Sequence, residues 1–170
     1  MRNYVLLCII ILPIVLFGQK TSLTLSVRTP YCGGAKPTPE IAAGTTKSFG
    51  NQRLIIQYQK TNEVYSGKWN CLEITVDSNG NWKGKIPKKS NIRIFLANQF
   101  LSLSELKSKY SLSDTKRYTL KDDAAIELWK SKPIYEKSAK EFKKSIQIEL
   151  LEACFVGLNP CYWYTGPKPR

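Results

Sequence analysis

The chain has 170 residues, with 26 Lys+Arg against 13 Asp+Glu, five cysteines and no histidine. That length supports one domain around one packed core rather than a multidomain machine. Without histidine there is no Ser-His-Asp or Cys-His triad, no imidazole general base and no zinc site built on imidazole, which removes most common hydrolase mechanisms.

Residues 1–18 read as a secretory signal peptide. Arg2 supplies a positive start, residues 5–17 form an apolar run broken only by Pro13, and Gly18 is a small residue suited to a signal peptidase. The run is shorter than the about 20 apolar residues that span a bilayer. Cys8 lies too early for lipoprotein cleavage. The expected product is therefore a soluble secreted or periplasmic protein that begins near Gln19 and has no transmembrane span. Loss of this segment removes Arg2 and Cys8 and leaves 25 basic and 13 acidic side chains with four cysteines.

Four cysteines in an exported chain read as two disulfides drawn from Cys32, Cys71, Cys154 and Cys161. The six residues between Cys154 and Cys161 include Gly157 and Pro160, which favours a local bridge there and leaves Cys32 to Cys71. A bond from Cys32 to Cys154 or Cys161 stays open and requires the first and last strands to lie side by side. No C-x-x-C pair and no histidine accompany these thiols, which argues against a thiol–metal site.

After the signal, Leu23, Leu25 and Val27 alternate with Thr24 and Ser26, the period of a half-buried strand that ends at Thr29-Pro30. Residues 32–40 are too rich in Gly and Pro for a regular element and read as a loop. Residues 53–59 and 72–76 read as strands. Asp77-Ser78-Asn79-Gly80-Asn81 then places turn formers between two β-like runs, the pattern of a hairpin. Trp82 opens the return strand, which ends at Ile86-Pro87, and residues 92–96 form the next strand.

The period changes at Ser102-Leu103-Ser104-Glu105, a capping box that opens a short helix running to about residue 110. A second helix is predicted from Thr119-Leu120-Lys121-Asp122 through Trp129, with Leu120, Ala124 and Leu128, and Ala125 and Trp129, at spacings of four. Pro133 ends it. Residues 145–151 alternate as a strand, and the tail from Tyr162 is aromatic and then proline-rich, an extended segment laid over the body. Six or seven short strands with turn signals predict a mainly β chain, a transthyretin-like or immunoglobulin-like β-sandwich over 19–170 with a short helical insertion at about 102–131. Leu25, Ile56, Ile74, Trp82, Ile94 and Ile148 are its expected inward residues.

The run Val76-Asp77-Ser78-Asn79-Gly80-Asn81-Trp82, then Ile86-Pro87, then Ile92-Arg93-Ile94, resembles the hairpin and following strand of carboxypeptidase regulatory-like domains, which are transthyretin-like β-sandwiches. The Thr29-Pro30-Tyr31-Cys32-Gly33-Gly34-Ala35 loop and the ending from Cys154 to Tyr164-Thr165-Gly166-Pro167 resemble small exported proteins of Bacteroidetes-type bacteria that carry such a domain. Ser90-Asn91 stands where these domains commonly place Pro-Gly, and the basic helical insertion has no counterpart in a minimal domain. The resemblance implies an accessory or binding module and brings no catalytic residues with it.

Three short patterns have chemical readings. Ser104-Glu105-Leu106-Lys107 matches S-x-x-K, but the accompanying K-T-G is absent, so a solvated helix face is expected. Asp77, Asn79 and Asn81 have calcium-loop character, yet the glycine falls at the fourth position and Lys88 stands where a bidentate Glu belongs. Asp122 and Asp123, with Glu127, read as acids at a helix N-terminus rather than a glycosidase pair.

Basic charge is the global property with functional content. Lys107, Lys109, Lys116, Arg117 and Lys121 crowd the insertion, and Lys140, Lys143 and Lys144 follow with few acids between. Such a surface attracts envelope polyanions. Lysine outnumbers arginine, so specific nucleic-acid reading is not expected. Tyr162, Trp163 and Tyr164 are a candidate recognition patch, although aromatics beside a disulfide more often pack over a core edge. The expected function is a non-catalytic accessory or binding module of the bacterial envelope with no cofactor, partnered by an envelope polyanion or protein. The alternatives are a histidine-independent enzyme using Lys, Tyr or carboxylate chemistry, and a β-augmenting partner of an envelope complex.

Overall fold

A computed structural model of the chain describes residues 18–114 and 116–167. Apart from Gly18, the expected signal peptide lies outside the described residues, as does the end of the tail, 168–170. The elements are β1 (Gly18–Thr29), α1 (Pro39–Ala42), β2 (Thr45–Ser48), β3 (Arg53–Lys60), β4 (Asn70–Thr75), β5 (Asn81–Pro87), β6 (Ser90–Leu96), α2 (Leu103–Lys109), β7 (Tyr118–Leu120), α3 (Asp123–Ser131), β8 (Tyr135–Lys137), β9 (Ser145–Leu151) and β10 (Tyr162–Tyr164).

The alternation in β1 organises the first sheet. Thr21, Leu23, Leu25 and Val27 are buried, and Lys20, Thr24 and Arg28 are exposed. Along one edge β1 pairs antiparallel with β5, from Gly18↔Pro87 to Thr24↔Asn81, and then with β2, from Ser26↔Ser48 to Thr29↔Thr45. Along its other edge it runs parallel to β9, from Ser22↔Ser145 to Arg28↔Leu151. The second sheet has the order β4-β3-β6-β8, antiparallel throughout.

The two sheets bury one shared core, so the chain is a mainly β sandwich with a short helical insertion. Leu23, Leu25, Ile86, Ile146 and Ile148 from the first sheet pack in one cluster with Leu54, Ile56, Ile74, Ile92 and Ile94 from the second. Burying each such side chain stabilises by about 1.5–3 kcal/mol. Five of the six expected inward residues are buried. Trp82 sits on the inner face opposite Leu23 but is half-buried, its indole lying across Gly84 and against the core.

The turn at Asp77–Asn81 forms as its residues demand, but it does not make a hairpin. The Asp77 carboxylate accepts the Asn79 and Asn81 N–H groups at 2.9 and 2.8 Å, and the Gly80 N–H donates to the Asp77 carbonyl at 3.0 Å. Yet β4 pairs with β3 while β5 pairs with β1, so the turn carries the chain from one sheet to the other. Turn chemistry sets the reversal; the partner of each strand is set by which sheet edge is open to it.

The insertion occupies the connection between the neighbouring strands β6 and β8. Ser102 caps α2 with a complete capping box: its hydroxyl accepts the Glu105 N–H, and its own N–H donates to the Glu105 carboxylate at 2.9 Å. The second helix starts later than predicted, with Asp122 as N-cap accepting the Ala125 N–H at 2.6 Å. Tyr118–Leu120, expected in part in that helix, instead pairs with β10 from the tail. Ile126 is the buried residue of α3 and Leu128 is exposed, so the inward stripe differs from the predicted Leu120, Ala124, Leu128 row. Leu106, Ile126 and Cys161 form a second small core with Leu101, Leu103, Tyr110, Trp129 and Tyr162 around it. Buried Gln99 ties the insertion to the sandwich: it accepts the Leu96 N–H and donates to the carbonyls of Trp129 and Lys132 at 2.9 and 2.7 Å.

Cys32 is bonded to Cys154, with Cα atoms 5.3 Å apart, while Cys71 and Cys161 are thiols. The local Cys154–Cys161 bridge and the Cys32–Cys71 bridge are therefore replaced by the pairing that adjacent first and last strands allow. Because β1 and β9 run parallel, the residues just beyond Arg28 and Leu151 emerge at the same end. Cys161 is buried beneath the insertion, and Cys71 is exposed on β4 at the edge of the other sheet.

Candidate anion-binding surface

Outward residues of the first sheet converge at the start of β1. Lys20 lies directly opposite Lys85, and Ser22 lies opposite both Lys83 in β5 and Ser145 in β9. The Ser22 N–H donates to the Lys144 carbonyl at 2.9 Å, which brings Lys144 to the same place. Lys20, Lys83, Lys85 and Lys144, with Thr21, Ser22, Gly84 and Ser145, line a concavity of about 480 Å³.

Like charges directly opposite each other across a strand pair are destabilising. Here Lys20 faces Lys85, and among the described residues none of the four lysines is within ion-pair distance of a carboxylate. Lysine stems are aliphatic and only their tips are charged. The concavity therefore combines largely hydrocarbon walls with four lysines among its lining residues, a composition suited to a ligand that carries negative charge.

The basic residues singled out in the sequence are dispersed. Lys107 is paired with Asp123 at 2.6 Å. The Lys109 ammonium lies 5.7 Å from the Tyr110 ring centre. Lys121 lies 4.0 Å over the Trp163 ring, and burial pushes its amine below the ordinary lysine range. Lys116 and Arg117 are exposed beside β7, and Lys140 and Lys143 are exposed on the connection into β9. Only Lys144 joins the concavity. Counting charges along the chain missed Lys20, Lys83 and Lys85; the signal available for two of them was Lys83-Gly84-Lys85, an alternation that places both lysines on one face of a strand.

The aromatic tail divides its roles. Tyr162 packs against the insertion core, and Tyr164 stacks on Phe155 at 4.1 Å and leans on Tyr118 at 5.6 Å. Trp163 points the other way and is 55% exposed.

The carboxylates weighed in the sequence have local partners. Asp77 holds its own turn, Asp122 caps α3, Asp123 pairs with Lys107, and Glu127 pairs with Lys130 at 3.2 Å. The Ser104 hydroxyl lies 3.2 Å from that of Ser102, while the Lys107 ammonium is taken up by Asp123. Among the described residues no group of three or more His, Cys, Asp or Glu side chains is placed to hold a metal ion, and no helix is long and apolar enough to cross a membrane. No family model matches the chain, and no curated protein or solved structure is significantly similar to it.

Proposed function

We propose that the protein is an exported, non-catalytic binding module that holds anionic components of the bacterial cell envelope. The observation that carries this reading is the concavity lined by Lys20, Lys83, Lys85 and Lys144 with no carboxylate to neutralise it among the described residues. An anion seated there relieves the Lys20–Lys85 repulsion, and two unit charges 4 Å apart interact by about 1 kcal/mol in water and more where solvent is excluded. The 25 basic against 13 acidic side chains left after loss of the signal-like segment add long-range attraction. The signal-like start supports an exported location, and the resemblance to carboxypeptidase regulatory-like domains supports an accessory role.

Replacing all four lysines with glutamine tests the reading. Binding to heparin, a sulfated polymer, should weaken, and its dependence on salt should flatten by roughly 0.7–0.9 in log–log slope for each ammonium–sulfate pair removed. Thermal stability should hold or rise, because a like-charge pair has gone. An unchanged slope would overturn the assignment of the site, and turnover of a substrate by the purified protein would overturn the non-catalytic reading.

A second reading has its own observation. The outer edges of β4 and β9 are unpaired among the described residues, and such edges accept a strand from a partner. A partner retained at high salt, where ion pairs are screened, favours this β-augmenting role.

A further inference from the structure

The short sheet of β7 and β10 carries a second surface, separate from the lysine concavity. Its ladder pairs Tyr118 with Tyr164, Thr119 with Trp163 and Leu120 with Tyr162. It extends at both ends, where the Thr165 N–H donates to the Arg117 carbonyl at 2.8 Å and the Lys121 N–H donates to the Cys161 carbonyl at 2.7 Å. Alternation then places Arg117, Thr119, Trp163 and Thr165 on one face, and all four are exposed. Tyr118, Tyr162 and Tyr164 take the other face, against Phe155 and the insertion core.

Trp163 is 55% exposed although Lys121 covers one side of its ring at 4.0 Å, so the exposure belongs to the opposite side and the edge of the indole. Neither Arg117 nor Lys121 has a carboxylate within ion-pair distance among the described residues. The surface is thus a flat aromatic ring, flanked by two threonine hydroxyls and bordered by two unneutralised cations.

We infer that this face binds an acidic polysaccharide, with one sugar ring laid on the open side of Trp163, its hydroxyls at Thr119 and Thr165, and its carboxylate or sulfate at Arg117. Aromatic faces are electron-rich and favour the polarised C–H groups of a sugar. A planar guanidinium engages a carboxylate or sulfate through paired N–H groups. Single-stranded nucleic acid fits less well, because it is held by successive stacking rings and this face offers one. A membrane surface fits less well because the indole is ringed by hydroxyls and cations rather than by further apolar residues.

Titration with alginate, a linear uronate polymer, at low salt should quench tryptophan fluorescence. Trp163→Ala should remove the quench and weaken binding roughly ten-fold, the effect of deleting one stacking ring. Arg117→Gln should weaken alginate binding while keeping a residual quench, and Trp163→Phe, which retains a ring, should bind better than Trp163→Ala. Dextran, a neutral polymer, should not bind. The protein with Lys20, Lys83, Lys85 and Lys144 changed to glutamine should keep the Trp163-dependent quench, which separates this site from the concavity. The inference is overturned by wild-type affinity in both Trp163→Ala and Arg117→Gln. It is equally overturned if dextran binds as well as alginate, or if oligo(dT) or phosphatidylglycerol vesicles engage Trp163 more tightly than alginate does.

Discussion

Cys71 and Cys161 are both thiols and occupy opposite surroundings. Cys71 is exposed on β4, whereas Cys161 is buried, and burial pushes its thiol above the ordinary range against the opposing pull of Lys121 and Lys107. Only a thiolate reacts, so Cys161 is both inaccessible and held protonated. A raised native value means that this group's contribution to stability is fully present below the unfolded thiol's pKa and is lost as pH rises through the native value. In the chain from Gln19 onward, a thiol-specific reagent at neutral pH should therefore label one cysteine quickly in the native protein and a second only on unfolding, with Cys71→Ser removing the fast reaction. Two fast thiols, or none, would contradict the placement. Gly80 shows the same dependence on immediate surroundings: its φ is +75° and a Cβ there would collide with the Leu25 carbonyl oxygen. Asn79-Gly80 announced the turn in the sequence; the collision belongs to β1, 55 residues earlier in the chain than Gly80.

At the scale of elements, the capping box of α2 was legible because all its partners lie within four residues. Hydrogen bonds from the Ser102 hydroxyl and then its N–H hold the Glu105 carboxyl below the ordinary range. A depressed native value means that the stabilisation is present above the unfolded carboxylate's pKa and is lost as pH falls through the native one. Glu105→Gln should consequently lower the melting temperature near pH 7 and change it less near pH 3, and an equal loss at both would show that the carboxylate charge is not involved. The start of α3 was misplaced for the opposite reason. Thr119 and Leu120 have no local signal that excludes a helix, and their strand state depends on β10, more than 40 residues later. Lys83 and Lys85 follow the same logic, since their alternation was visible while their meeting with Lys20 and Lys144 required the β1–β5 and β1–β9 registers.

Across the whole molecule, the parallel pairing of β1 with β9 closes the fold, and Cys32–Cys154 fastens the same end. That bond joins residues 122 apart. Removing a native disulfide from a small exported domain costs about 2–5 kcal/mol, and a loop this long belongs at the upper end if chain entropy dominates. The variant carrying both Cys32→Ser and Cys154→Ser should unfold at a lower denaturant midpoint by a corresponding amount, while a midpoint within error of wild type would show that the strand pairing holds this end unaided. Features with local causes are legible in the residues alone: the mainly β character, the inward phase of β1, β3, β6 and β9, the turn at Asp77–Asn81, the cap of α2 and the excess of positive charge. Tertiary structure alone decided the disulfide partner, the sheet each strand joins, the β7–β10 ladder and the convergence of four lysines, because each depends on which distant segment reaches an open edge, and period, cap and turn residues carry no address for that segment.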